Sequence, residues 1–326
     1  MSMDVDPRLA ELAQRATSDP DKHLPNLLGI GAPKSATTWL SNVLDAHPQV
    51  FMPTRKELNA LHYENFADRF DEYPAYFSGC GDELIRCDFS VRYMASPRAH
   101  LHAKTVIPHT RIVAILRDPV SQIQSHYWHL LRQNFHQAVP LVTRPSVLEA
   151  IEQYPDLLLE PALYAKHLKR WFAEFPVDQF FIRCHEDVTE RRQATLDELA
   201  QFLGIDTFES THLVAAGKRN ARQGVQPKSE KARRIYSRLY TWIARGPYLW
   251  IKKWAGMAVA DRLKDLLQVR RVMEQLFFRP AYPELSAGEK AAIVALVRGD
   301  VLELERMLGR PLQHWLRVNQ DKAMHE

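Results

Sequence analysis

The sequence predicts an α/β fold, with a central parallel sheet in three layers and a helical C-terminal part. Three observations carry this reading. Short apolar runs rich in β-branched residues alternate with segments whose apolar residues recur at helical spacing. A small-residue loop joins the first such run to the first such helix. The chain has 326 residues, 46% of them hydrophobic and 25% charged, which is long enough to bury a sizeable core and excludes wholesale disorder and collagen-like repeats.

Taken in order, residues 1–25 read as a short polar helix and a linker ending at Pro25. The run Asn26 to Gly31 is a buried strand. Trp39, Leu40, Val43 and Leu44 then recur at helical spacing, giving strand, tight loop at 31–37, helix. Leu84 to Phe89 is a second strand, and Arg111 to Leu116 is the clearest of all. Asp118-Pro119 opens a helix to about Arg132, where proline suits the first turn. Gln179 to Cys184 is a fourth strand, and helical patterns cover about 161–175 and 191–203. In a parallel sheet ligands bind beyond the carboxyl ends of the strands, and the loops after Gly31 and Leu116 both lie there. The expected organisation is an N-terminal polar helix and linker (1–25), a core (26–226), a basic aromatic helical insertion (227–283) and C-terminal helices completing the core (284–326).

The net charge of +4 is too weak to argue for nucleic acid. It is unevenly spread. Residues 227–279 hold thirteen Lys and Arg against four Asp and Glu, with eight aromatics interleaved. Two readings fit: amphipathic helices on the sheet with a wet basic face, or an element facing lipid headgroups or an anionic acceptor. No nucleic-acid-binding module accompanies the charge. The three cysteines, Cys80, Cys87 and Cys184, make no even framework and no metal-binding spacing. No apolar leader and no run of about 18 apolar residues is seen. The expectation is a cytoplasmic protein without a metal, with peripheral membrane contact left open.

Chemistry concentrates in two loops. In Gly31-Ala-Pro-Lys34-Ser35-Ala36-Thr37-Thr38, small residues allow a tight turn into a helix N-terminus, whose free N–H groups and partial positive charge favour an anion. Lys34 adds a point charge; Ser35, Thr37 and Thr38 add hydroxyl donors. Taken alone, the same residues would also make an N-capped helix with a surface lysine. The Walker A pattern is absent. In Leu116-Arg117-Asp118-Pro119, a guanidinium directly after a buried strand suits bidentate phosphate binding, with Ser125 one to two turns further on. Alone, that loop equally suits an Arg–Asp surface pair.

Together the two loops resemble those of the sulfotransferases that use 3′-phosphoadenosine 5′-phosphosulfate (PAPS). GAPKSATTWL is similar to the family's 5′-phosphosulfate loop, P-K-[ST]-G-[ST]-[ST], and RDPVSQIQSHY to its 3′-phosphate motif, R-x-P-x-x-x-x-x-S with tyrosine two residues later. Ala36 stands where glycine is common; the expected effect is slight provided φ is negative there. His47-Pro48, Arg55-Lys56-Glu57 and Tyr63 resemble the heparan-type and bacterial carbohydrate branch. Asp88-Phe-Ser-Val-Arg-Tyr93 resembles that branch's E-K-[ST]-P-x-Y, with aspartate for glutamate and Val91 for proline. Leu302 to Trp315 resembles the closing helix.

The resemblance implies a P-loop-like fold and transfer of a sulfuryl group from PAPS to a hydroxyl, or less readily an amine, of a carbohydrate, glycolipid or small metabolite, leaving adenosine 3′,5′-bisphosphate. It implies that Lys34 stabilises the leaving phosphate and that Glu57 is the base, with Asp88 and His62 as weaker candidates for orienting the acceptor. Lys34, Ser35, Ala36, Thr37, Thr38, Trp39, Arg117 and Ser125 would hold the nucleotide, although Trp39 at helical spacing equally suits the core. Arg219 and Arg222, in a basic glycine loop, are candidates for its 3′-phosphate or its adenosine side, the choice between them open. The alternatives are a P-loop kinase using ATP and a non-catalytic membrane-surface protein. Oligomeric state is not legible.

Overall fold

The computed structural model describes residues 5–18, 23–136, 146–209, 225–227, 231, 234–236, 238, 278–280 and 284–318. The chain divides into two compact units. One comprises Met1–His126, Val147–Ala221 and Ala287–Glu326, the other Tyr127–Ser146 and Arg222–Ser286.

The first unit is built on five strands, β1 (Leu27–Gly31), β2 (Val50–Phe51), β3 (Ile85–Phe89), β4 (Arg111–Leu116) and β5 (Phe180–Cys184). Their order is β2-β3-β1-β4-β5 and every neighbouring pair is parallel. The four predicted strands are all present. The strand missed, β2, is two residues long and carries no period to read. The chain's helices include α1 (Arg8–Ser18), α2 (Thr37–Asp45), α3 (Ala99–Val106), α4 (Pro119–His136), α5 (Tyr164–Glu174), α6 (His185–Glu190), α7 (Arg192–Leu203) and α8 (Ala287–Leu308). None of the described helices is long and apolar enough to cross a membrane.

Strands covered on both faces read as continuous apolar runs, and β1 is buried at every residue. Alternation sends Leu27, Cys87, Val113 and Ile115 to one face, where they pack with Leu40, Val43 and Leu44 of α2 and Leu196, Leu199 and Leu203 of α7. Gly29 is required by packing: a Cβ there would lie 2.4 Å from the ring of Phe89, its register partner on β3. All three cysteines are free.

The end of the described chain returns to the sheet. The Asp300 carboxylate on α8 accepts from the N–H groups of Ala165 (2.9 Å) and Lys166 (2.8 Å), capping α5. Asp187 accepts from the Cys184 N–H (2.9 Å) at the end of β5 and from Arg310 Nη2 (3.0 Å). Trp315 donates to Glu186 (2.6 Å).

In the second unit, β6 (Val225–Pro227) and β7 (Phe278–Pro280) form an antiparallel ribbon, and Tyr236 is buried. Most of the rest of the predicted insertion, and both Arg219 and Arg222, lie outside the described residues.

Candidate active site

The strand order places a crevice over the first unit's sheet. From β1 the chain crosses towards β2; from β4, its neighbour, it crosses the opposite way to β5. Loops leaving two adjacent strands in opposite directions part above their carboxyl ends, and ligands bind there in open α/β sheets. Both anion loops read from the sequence meet at this point.

The loop after β1 turns through left-handed backbone. Lys34 has φ 66° and Ala36 φ 65°. The negative φ on which a slight effect of Ala36 depended is not found: the loop needs the glycine-like conformation and alanine adopts it. An L-residue there carries about 1–2 kcal/mol of strain, partly offset by the lower entropy of alanine in the unfolded chain. Ala36→Gly should raise stability by about 1 kcal/mol, an increase in Tm of about 2–4 °C in a thermal melt. An unchanged or lower Tm would show that the loop bears no such strain.

Ser35 is fully buried, and its hydroxyl makes no hydrogen bond of normal geometry among the described residues. Thr37 is buried at the start of α2, whereas Thr38 is exposed. Trp39 packs against the core with Arg192 5.3 Å above its ring. Tyr164, wholly buried, reaches Ser35 and the backbone of Arg117, and burial pushes its hydroxyl pKa well up.

After β4, Asp118 caps α4 by accepting from the N–H groups of Val120 (3.1 Å) and Ser121 (2.9 Å). It is engaged with the backbone, and no carboxylate pairs with Arg117 among the described residues. Arg117 instead donates from Nη1 to the Lys34 carbonyl (3.1 Å), and Gln122 donates to the Pro33 carbonyl (3.3 Å). These two bonds, with Ala32 N–H to the Ile115 carbonyl (2.8 Å), join the loops. Half-buried Ser125 lies three residues beyond Gln122, on the same side of α4.

The segment carrying Glu57 comes to the same edge. Lys56 Nζ lies 3.3 Å from Thr38 Oγ1, which sets the next residue, Glu57, beside the start of α2. Burial lowers the Lys56 pKa, against the charge of Glu57, which raises it. Glu57 and Asn59 are left-handed (φ 61° and 55°), and Asn59 Nδ2 closes the turn on the Glu57 carbonyl (3.0 Å). Asp88 lies in the core, 1% exposed, accepting from Ser90 (2.7 Å), Tyr93 (2.6 Å) and Tyr73 (3.0 Å). The pKa of His62 is lowered by burial and by Arg92 and Arg98.

Sequence reading missed Lys56 as a site residue, although it adjoins Glu57 in the quoted motif. It also missed Gln122 and Tyr164, whose places depend on how the helices dock. Among the described residues no cluster of three or more His, Cys, Asp or Glu side chains is arranged to hold a metal.

The model of the sulfotransferase domain family matches residues 24–219, which contain every residue placed above. The chain belongs to this sulfotransferase family. The human bifunctional heparan sulfate N-deacetylase/N-sulfotransferase 3 is 28% identical over 200 residues, 56% of this chain and 22% of that protein. The Caenorhabditis elegans heparan sulfate N-deacetylase/N-sulfotransferase 1 is 23% identical over 213 residues, 63% of this chain and 25% of its own length. This sulfotransferase chain thus spans about a quarter of the curated relatives it matches. A solved sulfotransferase from Alicyclobacillus acidocaldarius shares the fold, with a TM-score of 0.60 at 19% identity, covering 90% of this chain and 100% of that one.

Proposed function

We propose that the protein transfers a sulfuryl group from PAPS to a hydroxyl or amine of a carbohydrate acceptor. The observation that carries this is the joined pair of loops, Arg117 bonded to the Lys34 carbonyl above the carboxyl ends of β1 and β4. The residues present fit the nucleotide. A left-handed loop at a helix N-terminus, a buried hydroxyl at Ser35 and two cations form a donor set with, among the described residues, no competing carboxylate on Arg117.

PAPS, when bound, supplies the sulfuryl group and leaves as adenosine 3′,5′-bisphosphate. Lys34, Ser35, Thr37 and Thr38 hold the 5′ end and Lys34 stabilises charge there; Arg117 and Ser125 hold the 3′-phosphate. Lys56, bonded to Thr38, adds a second positive charge between the loop and the acceptor side. Glu57 takes the acceptor's proton. A loose transition state asks mainly for such positioning and charge stabilisation. A carbohydrate acceptor is supported by the heparan sulfate relatives.

Titration with adenosine 3′,5′-bisphosphate, ATP and AMP tests the reading. The bisphosphate at 100 times its Kd should add about 2.7 kcal/mol of stability in a thermal melt. Arg117→Ala should weaken it roughly 10- to 100-fold, the value of a charge-assisted bond. An equal response to ATP, or an unchanged affinity in Arg117→Ala, would overturn the assignment.

A further inference from the structure

The turn bearing Glu57 is held from beneath by a network that none of the anion-binding groups enters. Two residues in this turn, Glu57 and Asn59, sit in left-handed backbone without being glycine. Each would relax in a free peptide, so contacts with the core must maintain the shape. Leu58 and Leu61 bury their side chains in the core, and hydrogen bonds fix the backbone. The Asn59 N–H donates to Ser90 Oγ (3.1 Å) and the Leu61 N–H to the Tyr93 hydroxyl oxygen (3.3 Å). The Leu61 carbonyl accepts from Nδ1 of the buried His102 (3.0 Å), which assigns the proton to that nitrogen.

Each hydroxyl has one proton to give. Because Ser90 and Tyr93 accept from the turn, their own protons point to Asp88, one on each carboxylate oxygen (Oδ1 2.7 Å, Oδ2 2.6 Å). Tyr73 adds a third donor on Oδ2 (3.0 Å). A carboxylate surrounded by donors acts only as an acceptor, which is the ionised form. Burial raises the Asp88 pKa and the three hydroxyls work against it, so its charge is bound up with the intact network.

We propose that Asp88 is a positioning residue for Glu57, acting through Ser90 and Tyr93, whose hydroxyls it orients to clamp the backbone of the Glu57 turn. This rests on the reading of Glu57 as the base. Asp88 touches neither acceptor nor nucleotide in this role. It replaces the expectation that Asp88 orients the acceptor directly. Asp88 sits on β3, next to β1 in the sheet, so the network ties the base to the strand that leads into the phosphosulfate loop.

Tyr93→Phe and Ser90→Ala each remove one clamp and keep the core shape. Amide exchange should quicken about tenfold at Leu61 in the first and at Asn59 in the second, with affinity for adenosine 3′,5′-bisphosphate unchanged. With N-desulfated heparin as the acceptor, kcat should fall about 10²-fold while the KM for PAPS holds. In a Glu57→Gln background the same substitutions should change kcat less than about twofold, since the group they position is already gone. Retained bisphosphate binding controls for folding, and either variant alone suffices. Unchanged exchange in both variants would overturn the clamp. Full additivity with Glu57→Gln would overturn its action through Glu57. A Glu57→Gln enzyme with normal kcat would instead remove the base reading on which the proposal stands, whatever the exchange result.

Discussion

Lys34→Ala is expected to lower sulfuryl transfer by about 10²–10³-fold, the usual loss when one preorganised donor to developing charge is removed. The backbone argument makes this a clean test. Lys34 has φ 66°, and alanine shares the Cβ that makes this conformation costly, so the substitution leaves the loop's strain as it was. The Arg117 bond to the residue-34 carbonyl also survives, because it uses the main chain. What disappears is a charge in a half-buried position, where it acts with less screening than in bulk water. The loss should fall mainly on kcat, because the charge matters most as the bond to sulfur breaks. Single-turnover kinetics beside a bisphosphate binding isotherm would separate the two. A fall in affinity that accounts for the whole change in rate would make Lys34 a nucleotide anchor alone.

Glu57→Gln should be as severe, about 10²–10⁴-fold in kcat, the range for a positioned general base. Glutamine keeps the length and the Cβ of the side chain, so the left-handed turn is not relaxed by the change. Bisphosphate affinity should be unaffected, because the anion loops are formed by other residues. Rates with a hydroxyl and with an amine acceptor would be compared in the same variant. Losses below tenfold on both would exclude Glu57 as the base.

Much of this site was legible before the structure. The four longer strands announce themselves as buried runs. Arg117 directly follows one of those runs and Lys34 lies three residues beyond another, so their meeting at one edge needs only the rule that the sheet is parallel. The φ of Ala36 was not legible, for a definable reason. It is set by how the loop must turn between β1 and α2, which the identity of one residue does not give. The Asp88 network was out of reach for another reason. Asp88 and Tyr93 were visible within one motif, but Tyr73 lies 15 residues upstream in an irregular stretch of short turns. His102 reaches the Leu61 carbonyl across 41 residues. No periodicity marks partners brought together only by folding.

The contacts made by Asp300 and Arg310 set when the first unit can be finished. Asp187 meets Arg310 across 123 residues, and the amides of Ala165 and Lys166 wait for Asp300 over a similar distance. At a synthesis rate of about 5–20 residues per second, roughly 6–25 s separate β5 from its last partner. During that interval the nascent sheet has its strands but not its closing cap and ion pair. An interruption of synthesis between residues 190 and 300 would leave all five strands of the sheet without the cap and ion pair that close it.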